Sequence, residues 1–125
     1  IDNAPKHRDH DERLGQGLAA LHRASPNGFG LAQDNFIALL AQHNRATVDW
    51  PSFYAQRRLS PMLKLAADKG LASAELRHAV NTVIARIDTL VGPPEPPARL
   101  HGDLWGGNVI TDERGLPVLI DPAVY

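Results

Sequence analysis

The sequence predicts an α+β fold in which helices make up most of the chain and one short β-hairpin follows them. Two segments carry apolar residues at helical spacing, and the pattern changes to short strands after a proline-rich connector at 92–97. A glycine-rich loop at 101–108 stands between the connector and the hairpin. The length of 125 residues suits one modest domain or part of a larger one, and we expect a single partial domain over 1–125.

The first helix is predicted from its apolar spacing. Leu14, Leu18 and Leu21 recur at i, i+4, i+7, which is the stripe of an amphipathic helix over 12–23. The polar residues 1–11 before it are expected to form an exposed connector.

Two further helical stretches follow. Pro51 suits the first turn of a helix, which Pro61 is expected to kink or divide. Ser73 is a good N-cap for the strongest apolar stripe of the chain, which continues to Val91 and stops at Gly92.

The remaining segments are extended or irregular. Segment 29–49 has no clean period, so we expect a partly ordered loop with one short extended or helical piece. Asn108–Thr111 and Leu116–Ile120 predict two strands joined by a turn at 112–115. Pro117 fits best near the start of its strand or on a sheet edge.

Composition limits the function. The 13 basic and 14 acidic side chains leave no basic surplus to hold a polyanion, so we expect no nucleic-acid partner. The absence of cysteine excludes a disulfide scaffold and thiolate zinc ligands, and it fits a cytoplasmic protein. No apolar run reaches the roughly 20 residues that cross a bilayer, so no membrane association is expected.

The histidines outside the glycine-rich loop show no shared metal-ligand spacing and are expected to be surface or helix residues: His7, His10, His22, His43 and His78.

The loop and hairpin carry the pattern H-x-D-x-x-x-x-N, followed by an apolar strand that ends in Asp121. In protein kinases this arrangement supplies a catalytic-loop Asp and ligands for Mg²⁺ at the phosphates of ATP. Asp103 would accept or orient the proton of a substrate hydroxyl, Asn108 would offer a neutral oxygen to Mg²⁺, and the Asp121 carboxylate would bridge the metals. The pattern therefore predicts phosphotransfer with ATP and Mg²⁺. Each residue alone could instead be an ordinary turn or cap residue.

Four other loop residues have less direct roles. His101 is expected to brace the backbone around Asp103 more than to transfer a proton. Trp105 could either pack on the fold or form a wall of the acceptor pocket. Gly106 and Gly107 let the loop turn tightly toward a ligand, although the G-x-G-x-x-G spacing of a phosphate cradle is absent.

Together these segments resemble the fructosamine kinase (ketosamine kinase) family, a branch of the aminoglycoside-phosphotransferase and choline-kinase group within the protein-kinase-like fold. The likeness is carried by His101-Gly-Asp-Leu-Trp-Gly-Gly-Asn108 and by Val118-Leu-Ile-Asp-Pro-Ala-Val-Tyr125. Earlier segments agree with it: 14–22, 29–30, 34–37, 42–44 and 49–59. Residues 38–41, Ala-Leu-Leu-Ala, depart from the Gly and Pro that the family tends to have there.

The resemblance implies a mostly helical part of the large lobe of a kinase-like fold, with the small lobe and the C-terminal helices absent from this chain. It also implies ATP- and Mg²⁺-dependent phosphorylation of a ketosamine hydroxyl, commonly at O3, on a small glycated amine or on protein-bound fructosyl-lysine. By the same likeness Asp103 is the base and Trp105 an acceptor wall. Three polar residues would lie on the loop that faces the acceptor: Asn35, Gln42 and Asn44.

Three alternatives stay open. The first is another small-molecule kinase of this fold, acting on an aminoglycoside, on choline or on another amino alcohol. The second is a catalytically inert, pseudokinase-like binding module. A metal-assisted hydrolase built on His101, Asp103 and Asp121 is more distant, because nothing else in the sequence offers a metal triad.

Overall fold

A computed structural model describes residues 4–24 and 28–123. The chain divides into a first unit, Ile1–Ser25 with Ala98–Tyr125, and a second unit, Pro26–Pro97. No helix among the described residues is both long and apolar enough to cross a membrane. The elements in chain order are α1 (His10–Arg23), β1 (Asn35–Ile37), β2 (Leu40–Gln42), α2 (Trp50–Tyr54), a π-helical turn (Ala55–Leu59), α3 (Ser60–Asp68), α4 (Ala74–Ala85), α5 (Ile87–Leu90), a 3₁₀ turn (Gly106–Asn108), β3 (Val109–Thr111) and β4 (Pro117–Leu119).

The first unit contains the predicted hairpin. β3 and β4 pair antiparallel, with Ile110 opposite Val118, and Pro117 opens its strand as predicted. The Asp112 carboxylate shapes the turn by accepting backbone N–H bonds from Arg114 at 2.9 Å and Leu116 at 2.8 Å. These bonds lower the pKa of Asp112, chiefly the one from Leu116.

α1 begins at His10, two residues before the predicted start, so the expected connector 1–11 is partly helical. His10 is also buried, with 2% of its surface exposed, and is not a surface residue. Its Nδ1 lies 2.8 Å from a carboxylate oxygen of Asp11, and its Nε2 lies 3.4 Å from the Thr111 hydroxyl. The ring is therefore a polar link between α1 and β3.

In the second unit, segment 29–49 contains a hairpin that the sequence did not resolve. β1 and β2 pair antiparallel, with Asn35 opposite Gln42 and Ile37 opposite Leu40. The two-residue connection places Ala38 at φ 50°, a left-handed conformation that is uncommon for a residue with a Cβ. The expected extended piece is thus a short paired structure.

α2, the π-helical turn and α3 form one continuous helical run. Asp49 caps its start by accepting the Ser52 N–H at 2.7 Å, which lowers the pKa of Asp49. Pro61 lies in the first turn of α3 and does not break the run. The wider π turn precedes it because Pro has no N–H with which to continue the α-helical ladder.

α4 is capped as predicted, since the Ser73 hydroxyl accepts the Leu76 N–H at 3.1 Å. The helix ends at Ala85, and the apolar stripe continues into the short α5 instead of one unbroken helix. Buried apolar side chains of this unit belong to Phe53, Ala55, Ala72 and Ile87.

Candidate active site

The candidate site is the loop 101–108 with the strand end that follows β4. His101 is buried, and its Nε2 lies 2.9 Å from the Ile120 carbonyl oxygen. Because a carbonyl can only accept, Nε2 carries the hydrogen and Nδ1 is left to accept the Asp103 N–H, at 3.4 Å. Gly102 between them has φ 86°, which suits a residue without a Cβ. His101 thus ties the start of the loop to the chain beside Asp121.

Asn108 closes the loop on Asp103. Its Nδ2 donates to the Asp103 carbonyl at 2.8 Å and to the carboxylate oxygen Oδ2 at 3.0 Å. Its backbone N–H donates to the Trp105 carbonyl at 3.0 Å, within the 3₁₀ turn. The buried Asn108 side chain therefore fixes the exposed Asp103 carboxylate, and its own Oδ1 is not used in these bonds.

Asp121 is exposed and adopts φ 53°, the second left-handed position occupied by a non-glycine residue in the described parts of the chain. Backbone bonds hold it from both sides. The Ile120 N–H donates to the Asn108 carbonyl at 3.1 Å, and the Ala123 N–H donates to the His101 carbonyl at 2.9 Å. Left-handed non-glycine residues cost free energy and concentrate at functional sites. The same two loop residues that surround Asp103 thus fix the backbone that carries Asp121.

The donor set fits Mg²⁺. This ion prefers oxygen ligands and is usually held by one or two carboxylates together with substrate phosphates. Asn108 offers Oδ1, and Asp121 offers a carboxylate that no Lys or Arg of the described residues pairs with. No group of three or more His, Cys, Asp or Glu side chains that could hold a metal exists within 4–24 and 28–123, so a protein-only metal cage is not formed there.

Trp105 is 62% exposed and lies against Gly107. It also borders a cleft of about 490 Å³ within the first unit, whose other walls include Leu14, Leu104 and Val109. Most of the ring is therefore accessible.

The three predicted acceptor-loop residues belong to the second unit, whereas the loop 101–108 belongs to the first. Asn44 is 1% exposed, and its Nδ2 donates to the Asn35 side chain at 2.7 Å and to the Gln33 carbonyl at 3.1 Å. Both amide N–H groups are thus used inside the unit, and Gln42 is buried as well. Asn35 and Asn44 therefore meet in one network at the base of the β1–β2 hairpin.

Sequence reasoning missed the partner that completes this network. Arg58, in the π-helical turn, donates from Nη2 to Asn44 Oδ1 at 2.7 Å and from Nη1 to the His43 carbonyl at 2.9 Å. Its guanidinium also lies 4.7 Å from the ring centroid of Phe53. In the sequence, Arg57 and Arg58 are visible only as two basic residues on a predicted helix. Nothing in that pattern indicates that Arg58 binds residues 43–44.

The α+β elements and the His-Gly-Asp loop followed by a hairpin and Asp121 place the chain among proteins of kinase-like fold. Within that class, the chain belongs to the fructosamine kinase family, whose sequence model matches residues 1–125. The predicted fold class and the resemblance are both confirmed by this match and by the solved structures.

Relatives and solved structures agree with the family. A Thermobifida fusca protein assigned as a fructosamine-3-kinase is 42% identical, with a TM-score of 0.83, and the match covers 99% of this chain and 43% of that one. A Synechocystis protein assigned as a ketoamine kinase is 40% identical over 94% of this chain and 40% of its own length. The Arabidopsis thaliana protein-ribulosamine 3-kinase, chloroplastic, is 37% identical over 94% of this chain and 37% of its own length. The chain thus spans about two fifths of the length of these relatives.

Proposed function

We propose that the full-length protein is an ATP-dependent kinase that phosphorylates a sugar hydroxyl of a ketosamine. The observation that carries the proposal is the pair of hydrogen bonds from Asn108 Nδ2 to Asp103, which we call the clamp. A backbone bond from Ile120 to the Asn108 carbonyl connects this clamp to the segment that carries Asp121. These are the polar groups that phosphoryl transfer requires from this half of a kinase-like site. Family membership supports the substrate class.

Asp103 is the residue that meets the acceptor hydroxyl. With Oδ2 engaged by Asn108, the other carboxylate oxygen is left to accept the hydroxyl hydrogen and to aim the oxygen at the phosphoryl group. Asn108 Oδ1 and the Asp121 carboxylate would hold Mg²⁺, which when bound neutralises phosphate charge. His101 acts through the backbone, because its ring binds both the Asp103 N–H and the Ile120 carbonyl.

The names of the relatives support the acceptor class. Their names specify ketoamine and protein-ribulosamine kinases, so we infer a ketosamine acceptor carried by a small amine or by a protein lysine. Trp105 supplies an accessible aromatic surface two residues from Asp103, suited to pack against the apolar face of a sugar.

Replacing Asp103 by Asn in the full-length protein tests the proposal. We expect turnover of a fructosyl-amine with MgATP to fall about 100- to 10,000-fold, because a general base is lost, while ATP affinity stays within about twofold. Glu113→Gln is the control, since Glu113 is an exposed residue of the β3–β4 turn and the change removes the same charge. Equal activity of Asp103→Asn and the wild type would contradict the assigned role.

A further inference from the structure

Gly107 touches the indole of Trp105. A Cβ built on Gly107 would lie 2.9 Å from Cε2 of that ring and closer still to Cζ2 and Cη2. Gly107 is not among the glycines with left-handed φ, so its backbone conformation is open to any L-residue. The absence of a side chain at 107 is therefore required by the neighbouring ring and not by the turn.

Hydrogen bonds hold the backbone next to Gly107. Asn108, the next residue, is held by its N–H bond to the Trp105 carbonyl at 3.0 Å and by its side-chain bond to the Asp103 carbonyl at 2.8 Å. The indole, in contrast, is 62% exposed and is free to rotate into solvent. A methyl group at 107 would consequently displace the ring and leave the loop in place.

Gly106 provides a matched comparison. It precedes Gly107 in the same 3₁₀ turn, and a Cβ there would meet no atom within 4 Å. Alanine at 106 and alanine at 107 cause the same loss of backbone freedom in the unfolded chain. Their effects differ only by what the methyl group touches.

We propose that Gly107 is a positioning residue that sets the pose of the Trp105 indole and, through it, the affinity for the sugar part of the acceptor. This inference rests on the proposed function, because it takes the accessible indole as a wall of the acceptor site. Aromatic packing depends on ring placement, so a rotated indole loses the contact without altering Asp103 or Asn108.

The test compares Gly107→Ala with Gly106→Ala in the full-length protein, using steady-state kinetics with a fructosyl-amine and MgATP. We expect Gly107→Ala to raise the KM for the fructosyl-amine about three- to tenfold, with kcat and the KM for ATP within about twofold. Gly106→Ala should raise that KM by a smaller factor than Gly107→Ala does, because its methyl group does not meet the ring. In a Trp105→Ala background, Gly107→Ala should add nothing, since its effect acts through the ring.

Three outcomes would overturn the inference: equal KM values for the two alanine variants, an effect of Gly107→Ala that persists without Trp105, or a fall in melting temperature that accounts for the loss. Trp105 fluorescence, obtained by subtracting the emission of Trp105→Ala, checks the pose independently and should change in Gly107→Ala alone. A wild-type protein that leaves the fructosyl-amine untouched overturns the proposed function and the acceptor part of the inference. Normal wild-type turnover with a normal Gly107→Ala overturns the inference alone.

Discussion

The Asn108 carboxamide has a donor and an acceptor, and the proposed site uses both. Its Nδ2 donates to a carboxylate oxygen of Asp103 at 3.0 Å, and in the proposed site its Oδ1 would be a ligand of Mg²⁺. A carboxylate at 108 could accept a cation but could not donate to Asp103, and it would place two negative charges side by side. The amide is thus the side chain that serves both neighbours.

Ala38 offers a test of local strain at the scale of one residue. Because it holds φ 50°, replacing it with Gly removes a steric penalty that exceeds the extra chain entropy of glycine. We expect Ala38→Gly to raise the free energy of unfolding by about 0.5–1 kcal/mol. Ala41→Gly, in the neighbouring strand, should instead lower it by about 0.5–1 kcal/mol. Denaturant melts of both variants measure the difference, and equal signs would contradict the left-handed assignment.

At the scale of elements, two arginines of the π-helical turn hydrogen-bond the segment that follows β2. Arg58 uses two nitrogens on the segment that follows β2, one of them on the buried Asn44. Arg57, the preceding residue of the turn, uses Nε on the Arg45 carbonyl at 3.0 Å. The two adjacent arginines thus bind the three residues that directly follow β2, 43–45.

We expect Arg58→Lys to destabilise the second unit by about 1–3 kcal/mol, because an ammonium cannot reproduce the fork and the buried Asn44 oxygen loses its donor. Arg57→Lys is the matched control and should cost less than about 1 kcal/mol, because its bond goes to an exposed backbone carbonyl. Hydrogen exchange of the hairpin amides should rise in Arg58→Lys only. Equal exchange in both variants would show that the hairpin does not depend on Arg58.

The elements divide into those that local pattern could predict and those that it could not. α1, α4 and the β3–β4 hairpin follow from apolar spacing, the Ser73 cap and turn residues within a few positions. The β1–β2 hairpin lacks the glycine-containing turn of the β3–β4 hairpin, and Arg58 binds its base from 14 positions away in the sequence. Pro61 predicted an irregularity in this helical run, but a proline does not specify whether the helix kinks, divides or widens into a π turn.

On the scale of the whole molecule, carboxylates of both units accept backbone N–H groups, two of them in loops and one at the start of α2. The pKa of Asp34 is lowered chiefly by the Asn44 N–H, that of Asp49 by the Ser52 N–H and that of Asp112 by the Leu116 N–H. A carboxyl whose pKa is lower in the folded state stabilises that state above its ordinary value of 3.8. The stabilisation is lost as pH falls from that value through the lowered pKa.

We therefore expect thermal stability to fall as the solution is acidified below about pH 4. Asp112→Asn should lower stability at neutral pH and flatten this acid dependence, because the remaining side chain no longer titrates. Glu113→Gln, a neighbour with no carboxylate bond in the described turn, should leave the acid dependence as in the wild type. Melting curves from pH 7 to pH 3 decide this, and parallel acid profiles for the two variants would contradict the assignment.

The site was predictable from sequence to the extent that its residues are adjacent in the chain. The spacing of Asp103, Asn108 and Asp121 predicted the roles that we propose for them, but the hydrogen bond from Asn108 to Asp103 and the left-handed backbone of Asp121 are not predictable from spacing. The contact of Gly107 with Trp105 could not be predicted from the sequence either. A glycine in a tight loop is already explained by the turn, so it gives no indication of a second constraint.

Phosphorus NMR of the full-length protein with MgATP and a fructosyl-amine tests the central claim most directly. We expect a new sugar-phosphate resonance to grow as the γ-phosphate signal declines, and to be absent with Asp103→Asn. ATP that binds but stays intact, or a resonance that is unchanged in Asp103→Asn, would contradict the account of this chain as the catalytic-loop part of a ketosamine kinase.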